Sequence, residues 1–545
     1  MYDLRAEPWL PWRLRNGTVE WGTIARVVDR MASDEAVVGL AAPRPDFETA
    51  TLEFLAGLLS VAMRPADDEE WEQQWDAPPS MASLQSQLDA LPPAFDLDEP
   101  SGPAFLQDFA PADVLGKGTI PVERLLIDTP GVQSDELNAT LFVKPGRFEA
   151  FSRPMAAMAL ITMQSYAPAG GAGHRTSMRG GGPLTTLVEP RSDPLTEPLW
   201  HQLWFNVETV AQWKRRASQW SDAPAALFPW LAPCRTSEKS SSPVTPEGIH
   251  PAQAYFATPR RIRLVFGTEV APCGLTGRVD ARPVVGFAMR NYGVNYAQWR
   301  HPFSPYYLTK GEWLPMHPQP SGFQWKDWAN LVLAATGHDR EPATIVVDAP
   351  DRARAVGVTT PTVRLLGYDM DKMKARGWMD ARVPLFPLIT AAEREFMLLL
   401  ARELASAVTI SSSVLGYAIS SALYERPDDA GSAADPYRQQ LWARTEALFF
   451  RTLRDAYRAG LGVESVSEAR RLFHEPLQAC VMHLFDEAAP LGPAPVMAIR
   501  RIVRSRQGLT LSMAGYGKAG SGIAEALNLV PVPSARRKPK AGVKA

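Results

Sequence analysis

The sequence predicts an α+β chain: a large, irregular mixed α/β domain over residues 1–388, a four-helix bundle over 389–530 and a flexible basic tail over 531–545. Three observations carry this. Short β-branched runs bounded by turn residues recur from Thr119 to Trp378. After Pro387 the texture changes to long segments with apolar residues at helical spacing. The 49 prolines in 545 residues exceed the usual share of about 5%, which implies extended connections rather than a repeat array.

In order, the chain opens with a β-hairpin, WLPWRL and TVEW joined at Asn16-Gly17, a two-residue turn whose positions both tolerate φ > 0. A helix follows in DFETATLEFLAGLLSVAM, with Leu52, Leu55, Leu58, Leu59 and Ala62 on one face. Acidic, proline-containing loops extend to Asp113. Strands are predicted at TTLVEP, RIRLVFG, RPVVGFAM, ATIVVDA and TVRLLGY, and SEKSSSPVTPEGI (Ser237–Ile249) reads as a polar linker or disordered loop, with a plain surface loop favoured. Further on, Thr390-x-x-Glu393 is a capping box opening a helix to Tyr424. A second helix runs from Tyr437 to Ala459 and stops at Gly460. Ser465-x-x-Glu468 opens a third to Ala489, kinked at Pro476, and a fourth spans Pro495 to Leu511. Short connections between them make a bundle.

Net charge is −2, so nucleic-acid binding would rest on local basic patches. Positive charge gathers in the glycine-rich stretch below, at Arg260–Arg263, at Arg500–Arg506 and in SARRKPKAGVKA. Three cysteines, Cys234, Cys273 and Cys480, make neither a disulfide framework nor a cysteine-rich zinc site. The start MYDLRAEPWLPW has no signal-peptide pattern. The most apolar helix, FMLLLARELASAVTI, carries Arg402 and Glu403 and is too short to span a bilayer. A soluble cytoplasmic protein with no membrane partner is expected.

Enzyme signatures fail one by one. Neither the Gly170 region nor GYGKAGSG has P-loop order, and Thr176 stands where a dinucleotide fingerprint needs its third glycine. His474-Glu475 lacks the second zincin histidine, Gln478 standing there, and no Gly-x-Ser-x-Gly elbow occurs. His301 reads as structural. The stretch PAGGAGHRTSMRGGGPLTT, Pro168 to Thr186, remains. Its glycines let backbone approach a ligand, Arg175 and Arg179 suit phosphate, and small residues can enter a DNA minor groove. The same stretch also reads as a tight structural turn. A further reading, a metal-dependent hydrolase or phosphotransferase, pairs the loop with the carboxylates Asp369 and Asp371.

The segments PWLPWRLRNG, FVKPG, YAPAGGAGHRTSMRGGGPLTTLV, WRHPFSP, TKGE and LLGYDMDK occur in an order that resembles the large subunit, CasA, of the type I-E CRISPR Cascade complex. The resemblance implies a non-catalytic subunit without cofactor or metal; Cys273 alone remains of a cysteine cluster some members carry. It implies that the chain checks double-stranded DNA for a short protospacer-adjacent motif, helps open the duplex into an R-loop and supports a nuclease-helicase. Guide RNA and the backbone and small Cascade subunits are its other implied partners. Carried across, the motif-reading glycine loop falls on Gly170, Gly171, Ala172 and Gly173, with Ala172 at a family glycine. A groove-inserting lysine falls on Arg290. The strand-separating wedge falls on Asp371, Lys372 and Met373, with Lys372 in place of glutamine and either Lys372 or Met373 as the inserted group. Asp371 is expected to face Lys374 or Arg376. Lys310 matches a displaced-strand contact, and Phe142, Val143 and Lys144 match a nucleic-acid docking loop.

Overall fold

The computed structural model describes all residues except 116–117, 142, 172, 191–196, 239–242, 321, 334–338, 493–495 and 530–545. The chain forms two compact units. One comprises Met1–Phe323 and Thr336–Pro387, the other Gln324–Ala335 and Leu388–Ala545. The α+β class holds.

In the first unit, β1 (Leu10–Leu14), β2 (Val19–Gly22) and β3 (Val37–Leu40) form an antiparallel sheet in the order β2-β1-β3. The predicted hairpin forms, but its turn is a three-residue one. Leu14 N–H donates to Thr18 O at 2.9 Å, and Gly17 alone takes a left-handed φ of 85° while Asn16 accepts from the Thr18 amide. Helix α1 (Pro45–Met63) follows, and it is buried on nearly every side rather than one. Gly57 makes this possible, since a Cβ there would fall 2.3 Å from Tyr255 Cγ. Phe54 packs edge-on against Phe105 and Phe256, with centroids 5.4 and 5.8 Å away.

Helix α2 (Arg153–Tyr166) precedes the glycine-rich loop, and β4 (Thr185–Glu189) follows it. Strands β5 (Arg261–Phe266) and β6 (Val284–Arg290) pair antiparallel, Arg261 opposite Arg290, and Ile120–Pro121 adds to the far edge of β6. A hairpin of β7 (Tyr306–Thr309) and β8 (Glu312–Pro315) comes next. Long strands β9 (Thr362–Asp371) and β10 (Lys374–Pro384) close the unit in a sheet ordered β10-β9-β4.

Two local expectations are corrected. ATIVVDA lies in a helix, α3 (Thr344–Ala355), not a strand. Its buried Ile345, Val346, Ala349 and Ala353 recur at helical spacing, and a short β-branched run does not separate the two states until tertiary packing does. The Ser237–Ile249 stretch is tied down at its described positions. Ser237 N–H donates to Tyr292 O, and Val244 bonds Asn295 and Ala297 and is buried with Ala254, Val294 and Trp299.

From Leu388 onward the second unit holds five α-helices among its described residues, one more than the predicted bundle: α4 (Ala391–Leu423), α5 (Asp435–Arg458), α6 (Val463–Ala488), α7 (Val496–Met513) and α8 (Gly517–Ala526). Central α4 packs on the other four. The Thr390–Glu393 capping box is present with both hydrogen bonds. That at Ser465 is not. Helix α6 starts at Val463, Ser465 accepts from the Gly462 amide, and Glu468 pairs with Arg471. The helix runs on through Pro476. Trp325 and Trp328, from the 324–335 segment, pack against Phe449 and Phe450 of α5. At 33 residues α4 has the extent read from Thr390 to Tyr424, and the whole helix, unlike the FMLLLARELASAVTI stretch alone, is long and apolar enough to cross a bilayer; here its apolar stripe from Met397 to Ala422 is the bundle core.

Candidate nucleic-acid interface

The glycine-rich loop leaves α2 at Ala167 and returns to the sheet at Thr185, which fixes both ends. Its two glycine clusters differ. In the first, Gly171 is exposed and a Cβ there would meet nothing within 4 Å, while Gly173 takes φ 81°. Ala172 lies outside the described residues. In the second, a Cβ at Gly180 would come 2.9 Å from His317, one at Gly181 3.0 Å from the Ala169 amide nitrogen, and one at Gly182 2.4 Å from Met370 Cγ. The second cluster therefore packs the loop inward, Gly182 onto β9, and in the first cluster Gly171 faces outward.

The arginines divide likewise. Arg179 is 3% exposed and forms an ion pair with Glu53 of α1 at 2.6 Å. It also donates to Thr185 Oγ1 and Ser304 Oγ, while Tyr166 and Thr185 donate to the other Glu53 oxygen. Its expected role as a phosphate contact is corrected: the guanidinium is spent inside the core, and the pair anchors the loop to α1. Arg175 is half-buried and donates to Ser237 Oγ at 2.7 Å. The basic run at Arg260–Arg263 is likewise no surface patch. Arg263 is buried against the carbonyls of Gly102 and Asp108, Arg261 pairs with Asp108 at 2.7 Å, and Arg260 is buried beneath the glycine loop. Arg260 donates to Pro168 O at 2.5 Å and to His174 Nδ1 at 2.6 Å. Burial pushes Arg260 down to about 10 and lowers His174 as well, with the nearby Arg260 charge adding to the latter. Neutral His174 is what can accept that hydrogen bond.

Arg290 ends β6, is 50% exposed in its side chain and lies 3.7 Å from Glu238. Two residues on, the Tyr292 amide donates to Gly173 O at 2.7 Å, so strand end and first glycine cluster are joined. Lys310 and Gly311, with φ 50° and 81°, make the tight turn of the β7–β8 hairpin, and Lys310 is exposed. At the tip of β9–β10, Asp371 pairs across to Lys374, and Lys372 takes φ 56°. Lys372 is exposed and Met373 is 50% exposed, an apolar side chain at a loop tip. Arg376 is bound by Asp369 at 2.6 Å, and Asp371 also acts on it electrostatically. Met373 Cε approaches within 3.9 Å of where a Gly131 side chain would begin. In the docking loop, Phe142 lies outside the described residues, Val143 is half-buried, and Lys144 donates to Asn138 and to the Thr140 carbonyl. Buried Glu123 holds the base of that loop through the amides of Gly146 and Arg147, at 2.7 and 2.8 Å.

Residues 3–484 match the family model for the CRISPR-associated protein Cse1. The chain belongs to the Cse1 family. Its fold is that of solved members. Thermus thermophilus CasA (Cse1) is 18–19% identical in sequence across its structures; in one of them, at 19%, 93% of this chain covers 99% of the other with a TM-score of 0.66. Thermobifida fusca Cse1 is 19% identical, 97% of this chain covering 98% of it, with a TM-score of 0.68. A chain of a structure described as a CRISPR RNA-guided surveillance complex is 16% identical, with 93% and 99% covered and a TM-score of 0.67. The CasA resemblance read from the sequence is thus borne out at family level.

Sequence reasoning counted Arg260 only as part of a basic patch and missed Tyr292. Tyr292 takes a left-handed φ of 62° beside Gly173, a strained position for a bulky residue that no sequence pattern announces.

Proposed function

We propose that this Cse1-family chain is the non-catalytic large subunit of a guide-RNA-directed Cascade complex in the cytoplasm, and that it reads a short motif in double-stranded DNA. The observation that carries this is the union of a glycine cluster exposed at Gly171 with the Arg290 strand end through the Tyr292–Gly173 hydrogen bond. Bare main chain fits a minor groove that side chains would block, and one arginine beside it can enter the groove. The second cluster of the same loop is packed at Gly182 onto β9, whose hairpin ends in exposed Lys372 and Met373. A tip of that kind, a cation next to an apolar wedge, suits the first base step beyond the motif, where unstacking begins the R-loop. Lys310 on its separate hairpin suits the phosphates of the displaced strand. Guide RNA, the backbone and small subunits and a nuclease-helicase are the partners this reading requires; membership of one matched chain in an RNA-guided surveillance complex supports it.

The metal-dependent alternative finds no support in the position of its carboxylates, since Asp369 is held by Arg376 on the opposite strand. The test is DNA binding by the reconstituted guide-RNA complex, with and without this subunit, across a library of randomised flanking sequences. Enrichment of a short flank only with the subunit is expected. Identical binding in both cases would leave the chain a scaffold.

A further inference from the structure

Among the described residues the seven buried arginines divide by their counter-charges. Arg26, Arg179, Arg352, Arg364 and Arg470 each have a carboxylate at ion-pair distance. Arg263 has no such pair but lies in the field of Glu99 and Asp108. Arg260 is 7% exposed, its Nε has no hydrogen-bond partner, and among the described residues no carboxylate pairs with it. A buried cation without a counter-charge opposes folding. A buried charge left without its counter-charge marks a place where function has been favoured over stability.

The position of the charge says which function. One guanidinium nitrogen holds Pro168 O at the entry of the first glycine cluster, and the other holds His174 at its exit. Gly170 is what leaves room for this: a Cβ there would lie 2.5 Å from His174 Cβ. The planar fork therefore fixes both ends of the five-residue span between Pro168 and His174 with one rigid group, which the flexible ammonium of a lysine does not provide. Its charge also sits beneath a thin glycine surface in poorly hydrated surroundings, where salt screens it less than it screens exposed arginines.

Resting on the motif-reading assignment above, we propose that Arg260 is the positioning residue of the glycine loop, its fork holding the cluster in shape and its unneutralised charge drawing duplex phosphates onto the loop. The test compares Arg260→Met and Arg260→Lys in the reconstituted complex, on motif-bearing and motif-free duplexes over a range of salt. Arg260→Met is expected to reduce the preference for motif-bearing DNA by about tenfold or more. Its melting temperature should be unchanged or raised, because an uncompensated buried charge is gone. A purely structural arginine would instead lose stability. Arg260→Lys keeps the charge without the fork and should not restore the preference. Gly170→Ala, which pushes His174 off Arg260 by an independent route, should weaken the preference in the same direction. A wild-type preference retained by Arg260→Met, or fully restored by Arg260→Lys, would overturn the inference while leaving the motif-reading assignment intact. A wild-type complex with no motif preference at all would remove that assignment itself.

Discussion

The two glycine clusters of one loop, Gly170–Gly173 and Gly180–Gly182, share a composition and part ways at Gly171. Around the second, every added methyl group would strike a neighbour within 3.0 Å, among them His317, the Ala169 backbone and Met370. At Gly171 in the first, it would strike nothing. Glycine in the second cluster answers a packing demand from inside the protein. At Gly171 no such demand exists, and what remains is access from outside. The same division separates Arg179, buried on Glu53, from Arg290, half-exposed at the rim.

That contrast can be broken from the inside first. Arg179→Met leaves Glu53 buried and unpaired, and loss of one partner of a buried ion pair should lower stability by about 3–5 kcal/mol, measured by denaturant unfolding of the isolated subunit. Gly182→Ala combines a left-handed φ of 66° with the clash on Met370, and about 1–3 kcal/mol of destabilisation is expected. On the outer side, Arg290→Ala should leave the unfolding midpoint in place and remove about 1–3 kcal/mol of discrimination between motif-bearing and motif-free DNA. Equal losses on both duplexes would sink its assignment. Lys310→Ala should weaken binding to all sequences alike and flatten the salt dependence by about one unit of slope. Stability changes in the outer group as large as those in the inner group would erase the distinction.

Which parts were legible in the sequence follows from how local each signal is. The Thr390–Glu393 cap needs only four residues, and the strands TTLVEP, RIRLVFG, RPVVGFAM and TVRLLGY declare themselves by β-branched runs between turns. Helix α8 was hidden because GKAGSG is glycine-rich and a poor intrinsic helix former; packing on α4 carries it. Arg179 was misplaced because its partner Glu53 is 126 residues away, and no spacing rule reaches that far. RRIR looked like a surface patch for the same reason: burial of Arg260 and Arg263 is set by the loops that cover β5. The candidate site itself was legible as a list of segments. Their joining, Gly173 to Tyr292 and Gly182 to Met370, was not.

The central claim is that the first cluster is bare because DNA touches its main chain, and Gly171→Leu tests it most directly. An added Cβ meets no neighbour within 4 Å, the position is exposed and it needs no left-handed φ, so the folded subunit should assemble with an unchanged melting temperature. The motif preference of the reconstituted complex is predicted to fall by about tenfold or more, as for loss of a specific groove contact. A Gly171→Leu complex that binds motif-bearing DNA with the wild-type preference would contradict the account.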